Sequence, residues 1–451
     1  MEYIEAVNKF KEIERRYEVM SIKYKGISVW PYLRIYLFDA VATHNSKGYT
    51  RSGLSVLLKT LFGYGLLRFF RHYRVWDYSA SITRKKIGDL YEHHVSGYLH
   101  RSGYSVLTIE FPSLGSKAIP KDSIPEKNII SGSWLLLLTS LVEIFLRLFS
   151  MRIEGDHIIK EIISDLDVNF DYKKRLRWLL AQKKTSDFFL IIGKNPELVM
   201  LECYYTMMGY IWSFHNHRIP VVELQHGVVN KNHYAYNSRF RSELLYPDEF
   251  CVYGVEEFDY FTKRDTLFAK TTTQMGVYIL DQANKFFKDD IFDKYRENYN
   301  KIIVVAGETG LEERLSSFID EVASNLTGYL FVYIPRRETN IQFKSPNVRF
   351  VFGVNIYEYL KWCDVHVTVS STTGLEAHYF RKPVIYCNFN GIAKEYYGNV
   401  INETNGAFYI TTEDEFIGTL LHINDNEYCY RELFVHHSEQ RMQEVLDRYL
   451  K

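Results

Sequence analysis

The chain has 451 residues, enough for two or three domains of ordinary size. Hydrophobic residues make up 46% and charged residues 24%, the proportions of a folded globular protein, which excludes disorder as the default. Lys plus Arg (55) balance Asp plus Glu (55), and this zero net charge argues against a nucleic-acid binder or an acidic-tail protein.

The N-terminus, MEYIEAVNKFKEIERR, is charged from its second residue and has no apolar h-region, so no signal peptide is expected. Residues 1–75 read as a helical lead-in, broken after the first helix at Gly26–Pro31 (GISVWP). Within 51–75, Arg51, Lys59, Arg68, Arg71 and Arg74 alternate with Leu, Phe and Tyr and meet no acidic residue. Such a stretch suits an anionic membrane surface, or equally an ordinary helix with one solvated face.

From Val75 short apolar runs alternate with helical segments. YSVLTI (104–109), DFFLII (187–192) and IPVVEL (219–224) read as buried strands of parallel βαβ units. Irregular insertions fall around 113–170, and among them the run Trp134–Phe149 carries Glu143 and Arg147. A spanning helix needs about 20 apolar residues. The run is shorter and interrupted, so a buried or membrane-interface helix is expected. Five scattered cysteines (Cys203, Cys251, Cys363, Cys387, Cys429) form no CxxC pair, which fits a reducing compartment and speaks against structural zinc.

Residues 76–280 thus read as a first α/β domain and 281–451 as a second, joined by a charged hinge at 281–300. In the second, strands are expected at KIIVVA (301–306), YLFVYI (329–334), VRFVF (348–352), DVHVTV (364–369) and PVIYC (383–387). Helices are expected over 312–325, over 357–362 and from Thr373.

Four constellations carry chemistry. In the first, a strand ends in Ser370, Ser371, Thr372, Thr373 and Gly374 and turns into a helix holding Glu376. Helix starts offer free N–H groups and a positive dipole end, hydroxyls add donors for phosphate, and Glu376 is placed to accept from ribose or sugar hydroxyls. Capping alone would supply the competing reading, with Thr372 or Thr373 as cap and Glu376 reaching back. The second is VVELQHG, where Gln225, His226 and Gly227 close a strand; a histidine there can act as a general base or donate to phosphate. A polar loop of Asn230, Lys231, Asn232, His233 and Tyr234 follows, placed to contact donor or acceptor. The third is Arg336–Arg337 at a strand end, suited to a diphosphate or to a plain solvated cluster. The fourth is Gly307, Glu308, Thr309 and Gly310 after the first strand of the second domain, which is no dinucleotide fingerprint; its place at the domain cleft makes Gly307 and Glu308 expected donor-binding residues.

ELQHG followed by SSTTGLEAHYFRKPVIY resembles the bacterial surface-polysaccharide glycosyltransferases of GT-B fold, a group including polysialyltransferase-like, Kdo-transferase-like and CDP-glycerol glycerophosphotransferase enzymes. The match covers roughly 185–400 and is loose before that, at GISVWPYLR (26–34) and YSASITR (78–84). The resemblance implies an α/β chain with two Rossmann-like domains facing across a cleft and an extra helical N-terminal elaboration. It implies that Ser370, Ser371 and Thr372 hold the donor phosphate, that Glu376 holds ribose or sugar, and that His226 is a base or phosphate contact. Relatives carry a His-Pro pair where this chain has Ile334-Pro335, so Arg336 or Arg337 is left to stabilise the leaving group. The expected activity is metal-independent transfer of a sugar from a nucleotide-sugar to a growing surface glycan, free or lipid-linked, at the cytoplasmic membrane face. No cofactor is implied. The rivals are a CDP-glycerol or CDP-ribitol polyol-phosphate transferase, a sugar-nucleotide 2-epimerase and a degenerate partner protein.

Overall fold

The computed structural model describes residues 3–42, 66–80, 84–87, 90–111, 128–231, 233–263, 268–308, 310–389, 391–423 and 428–450. Most of the basic stretch 51–75 therefore lies outside the described residues, as do Asn232 and Thr309.

The lead-in consists of α1 (Tyr3–Arg16), a hairpin of β1 (Lys23–Tyr24) and β2 (Ile27–Ser28), and α2 (Trp30–Ala42). The break at Gly26–Pro31 is thus a hairpin turn, in which Gly26 takes φ 78° without the cost a Cβ would bring. Pro31 sits in the first turn of α2, where its missing N–H costs nothing. Arg34 of α2 is fully buried; its Nε donates to Glu14 of α1 at 2.7 Å, and its Nη atoms donate to the carbonyls of Tyr234 (3.1 Å) and Asn237 (3.0 Å). The elaboration is thereby bolted to the loop that follows ELQHG.

The first sheet is built from β3 (Val75–Ala80), β6 (Val106–Phe111), β7 (Ile129–Ser131), β8 (Leu198–Glu202), β9 (Val221–Leu224), β10 (Glu249–Val252) and β11 (Thr271–Gln274). All pairings are parallel, in the order β11-β10-β9-β8-β3-β6-β7. A side hairpin of β4 (Arg84–Ile87) and β5 (Leu90–His93) follows β3. The helices are α3 (Ser133–Leu146), α4 (Asp156–Asp165), α5 (Tyr172–Gly193), α6 (Tyr204–Asn216), α7 (Val255–Lys263) and α8 (Tyr278–Phe286). One expectation fails here. DFFLII (187–192) is not a strand but the last turns of α5, and the strand is Leu198–Glu202 just beyond Pro196. A six-residue apolar run fits either element by pattern alone. The run continues a helix opened by the Asp171 cap, whose side chain accepts from the Lys174 N–H, and it meets no Gly or Pro before Gly193.

The second sheet is also all parallel, in the order β14-β13-β12-β15-β16-β17. Its strands are β12 (Lys301–Ala306), β13 (Tyr329–Ile334), β14 (Val348–Phe350), β15 (Val365–Thr368), β16 (Val384–Cys387) and β17 (Ala407–Ile410). Around it lie α9 (Asp293–Arg296), α10 (Glu312–Asn325), α11 (Ile356–Trp362), α12 (Thr373–Tyr379), α13 (Ile392–Tyr397) and α14 (Glu413–His422). The last helix, α15 (Ser438–Tyr449), ends the span expected as the second domain, 281–451, yet it packs on the first. Tyr98 Oη donates to Gln443 (2.9 Å), Tyr104 Oη to Asp447 (2.9 Å) and Tyr449 Oη to Glu249 (2.8 Å). The chain entering α15 crosses so close to Gly254 and Gly276 that a Cβ at either would strike the carbonyl of Leu433 or Val435.

In each sheet the strand order reverses once, between β3 and β8 and between β12 and β15. Crevices beyond the carboxyl ends of strands at such points are where ligands of doubly wound domains bind.

Candidate functional site

A cavity of about 160 Å³ opens between the two domains. The first domain contributes Asn230, Lys231, Tyr253 and Glu257 to its wall; the second contributes Thr372, Leu375, Glu376 and Tyr396. The segment 370–376 thus borders the inter-domain crevice, and the loop after ELQHG faces it.

At the switch point of the second sheet, the ends of β12 and β15 are tied together. The backbone N–H and hydroxyl of Ser370 donate to the Glu308 carboxylate at 2.7 and 2.6 Å, and the Ser370 carbonyl accepts from Tyr397 Oη at 2.7 Å. The chain's own carboxylate thus occupies the donor groups of Ser370 that an anion would use. Ser371 Oγ accepts from the Thr373 N–H (3.3 Å). Thr373 Oγ1 lies 3.0 Å from His366 Nε2, and His366 Nδ1 lies 2.9 Å from the Val304 carbonyl. A carbonyl only accepts, so Nδ1 carries the proton and Nε2 accepts from Thr373. Burial pushes His366 down to about 3, so it is a neutral structural link inside the sheet and takes no part in the cleft.

Thr372 is the helix cap of α12, but its side chain makes no cap bond, so no capping box forms on it. Thr372 and Glu376 face the cavity instead. Gly374 is needed for packing, because a Cβ there would overlap the Tyr386 hydroxyl on β16. The buried Glu376 carboxylate lies 4.0 Å from His94 Nε2 of the first domain, and Tyr357 Oη lies 3.3 Å from His94 Nδ1. A His–Tyr–Glu bridge therefore spans the domains behind the cavity wall. The spacing of these residues in sequence offers no clue to it.

Across the cleft, Gln225 is fully buried. Its Oε1 accepts from the Tyr253 N–H (2.8 Å), while Nε2 donates to the Gly227 carbonyl (2.9 Å) and to Glu257 Oε1 (3.2 Å). Gln225 positions its neighbours and offers nothing to a ligand. His226 is half-buried beside Tyr205, with ring centroids 6.5 Å apart, and is absent from the cavity wall. Burial, then the nearby His233, pushes it down to about 4, so it is neutral at pH 7.

Glu257, near the start of α7, is the residue that sequence reasoning missed. Its Oε2 is shielded from solvent and has no hydrogen-bond partner among the described residues, and burial pushes the carboxyl up to about 7. A carboxyl that titrates near neutrality and is held at one oxygen is suited to general acid–base work. The clue available in the sequence was a glycine closing a strand, as at ELQHG, but here just before an acidic helix start (CVYGVEE). Arg336 and Arg337 are exposed at the end of β13; Pro335 beside them packs against Gly307, but neither arginine lines the cavity. Among the described residues no group of three His, Cys, Asp or Glu could hold a metal ion.

No protein-family model matches the chain, and no curated protein does. Among solved structures, MnaA of S. aureus with UDP aligns over 84% of this chain and 97% of its own, at 12% identity and a TM-score of 0.52. The kitacinnamycin glycotransferase aligns over 84% of this chain and 99% of its own, at 13% identity and a TM-score of 0.51. The fold is GT-B-like. At such identities the likeness is one of fold, and the chemistry of the cavity between the two Rossmann-like domains rests on its own side chains.

Proposed function

We propose that the chain is a glycosyltransferase that moves a sugar from a nucleotide-sugar donor to a growing surface glycan at the cytoplasmic face of the membrane. The observation that carries this reading is the inter-domain cavity, which Glu257 of the first domain and Thr372 and Glu376 of the second line together. The donor lies against the second domain, with Ser371 and Thr372 toward its phosphates and Glu376 toward ribose or sugar hydroxyls. The acceptor hydroxyl approaches from the first domain. Its oxygen bonds to the anomeric carbon as the bond from that carbon to the diphosphate breaks; the proton passes to Glu257 and the nucleoside diphosphate departs with the electron pair. Lys231 on the cavity wall supplies positive charge for the departing group. His226 has the smaller part of an acceptor contact. Glu308 holds the Ser370 turn in shape, and Gly307 lets Pro335 approach it.

A second reading, epimerisation of the sugar nucleotide itself, draws support from two carboxylates, Glu257 and Glu376, in one cavity. Thermal-shift measurement with UDP, GDP, TDP and CMP identifies the base, since a bound ligand raises apparent stability by mass action. Release of that nucleotide from its sugar donor is then followed with and without a glycan acceptor. Acceptor-dependent release that falls roughly 10²–10⁴-fold in Glu257→Gln, but only a few-fold in His226→Ala, is expected. Conversion of the donor sugar without any acceptor would establish the epimerase instead, and failure to bind any nucleotide would remove both.

A further inference from the structure

The apolar run expected as a buried or interfacial helix is α3, and only one side of it is covered. Most of the largest exposed apolar side chains among the described residues gather there and on the adjoining end of α5. Leu141 (55% exposed), Ile144, Phe145 and Leu148 (78%) fall at i, i+3, i+4 and i+7, one continuous stripe. On α5, Phe188 and Ile191 (79%) are exposed three residues apart, and Phe70 of the 3₁₀ turn Leu66–Phe70 joins them. Between these elements runs a groove of about 280 Å³ lined by Phe69, Leu138 and Phe189. A contiguous apolar face of this kind on a soluble surface marks a contact site.

The charges around it are of one sign. Lys184 lies one turn before Phe188, Lys194 three residues after Ile191, Arg71 next to Phe70 and Arg152 beyond the end of the stripe; all four are exposed. The carboxylates on the same elements are neutralised. Glu143 accepts from Arg147 (2.7 Å) and Arg177 (3.4 Å), and Asp187 from Lys183 (2.8 Å) and Ser213 (2.6 Å). An apolar stripe inside a cationic rim complements the headgroups and upper acyl region of an anionic bilayer. Among the described residues no helix is long and apolar enough to cross a membrane, so the contact is one of lying on the surface.

We infer that the face formed by α3, the end of α5 and the turn at Phe70 docks the protein on an anionic lipid surface. This rests on the membrane-face part of the function proposed above and is independent of its cleft chemistry. Leu148 and Ile191 are the most exposed members of the patch, so Leu148→Glu/Ile191→Glu alters the face with little effect on packing; Phe145→Ser is a second, milder variant. The full chain is mixed with phosphatidylcholine vesicles, alone or with phosphatidylglycerol at about 2:1, and the bound fraction is measured by co-sedimentation. The wild type is expected to prefer the anionic vesicles, and the double variant to lose roughly tenfold in partitioning per buried side chain removed, while its melting temperature and its nucleotide-induced shift stay those of the wild type. Unchanged binding of both variants would overturn the assignment of this face and leave membrane association standing elsewhere. If the wild type bound neither vesicle, the membrane-face reading would fall as well, while the nucleotide shift still reports on the cleft. A wild-type dimer dissolved by the double variant would mean that a second copy covers the face, and the lipid assignment would be overturned.

Discussion

Replacing Arg34 by Met tests whether the N-terminal elaboration belongs to the working part of the molecule. In the native protein Arg34 and Glu14 are each 1% exposed at their side chains, and the guanidinium stacks 3.8 Å above the ring of Tyr234. Methionine keeps much of the volume but leaves the Glu14 carboxylate buried with only the Trp30 indole N–H (3.2 Å) and the Tyr234 hydroxyl (3.1 Å). Losing one partner of a buried pair costs about 3–5 kcal/mol. The Tyr234 carbonyl keeps the Asn237 N–H at 3.2 Å, but the Asn237 carbonyl loses its donor, which adds about 1 kcal/mol. A loss of about 4 kcal/mol or more is a large share of a net stability of about 5–15 kcal/mol. Urea unfolding followed by tryptophan fluorescence reads it directly, with Trp30 beside the lesion. Glu14→Gln/Arg34→Met removes the stranded charge and should recover about half of the loss. Because Arg34 also anchors the loop whose residues Asn230 and Lys231 face the cavity, the nucleotide-induced thermal shift should shrink in the single variant at temperatures where it is still folded. A single-variant loss under about 1 kcal/mol, or a double variant no better than the single, would refute the claim that this pair is buried and anchors the loop.

The remaining predictions concern the cleft. Glu257 must be ionised to accept a proton, and burial holds its carboxyl at about 7. Turnover per substrate encounter should therefore rise with pH, reach half its plateau near that value and flatten above it; Glu257→Gln should abolish the rise as well as lower the plateau. A profile unchanged in Glu257→Gln would assign the proton acceptor elsewhere. Gly374→Ala drives a methyl into the Tyr386 hydroxyl, and Tyr386 cannot retreat because it stacks on Tyr397 (5.1 Å) and Tyr409 (5.2 Å). Overpacking of this kind costs about 1–3 kcal/mol. The displaced start of α12 should weaken nucleotide binding measured by calorimetry, and unaltered affinity would separate that helix start from the donor.

What the sequence disclosed of this architecture follows from how far apart the interacting groups lie along the chain. Lys301–Ala306 and Tyr329–Ile334 were legible as strands because a strand buried on both faces of a parallel sheet is apolar throughout and bounded by turns. The same reasoning misread 187–192. Its residues Phe189 and Leu190 are buried in a helix packed on a helix, while Phe188 and Ile191 are exposed on the apolar face, so the run carries neither polar alternation nor a polar helical side. The segment Ser370–Glu376 was legible because its groups are contiguous, although Glu308, which takes up the Ser370 donors, lies 62 positions away. Glu257 was hidden for the same reason. Its oxygen is held by Gln225, 32 positions upstream, and the burial that shifts its carboxyl exists only once α7 closes over the end of the first sheet. The His94–Tyr357 contact, bridging 263 positions, has no local trace at all. Residues that build a strand-end loop announce themselves in order. The proton acceptor proposed for this cleft is defined by what the surrounding packing does to a carboxyl, and here that packing includes a glutamine whose every polar atom is spent holding Tyr253, Gly227 and Glu257 in place.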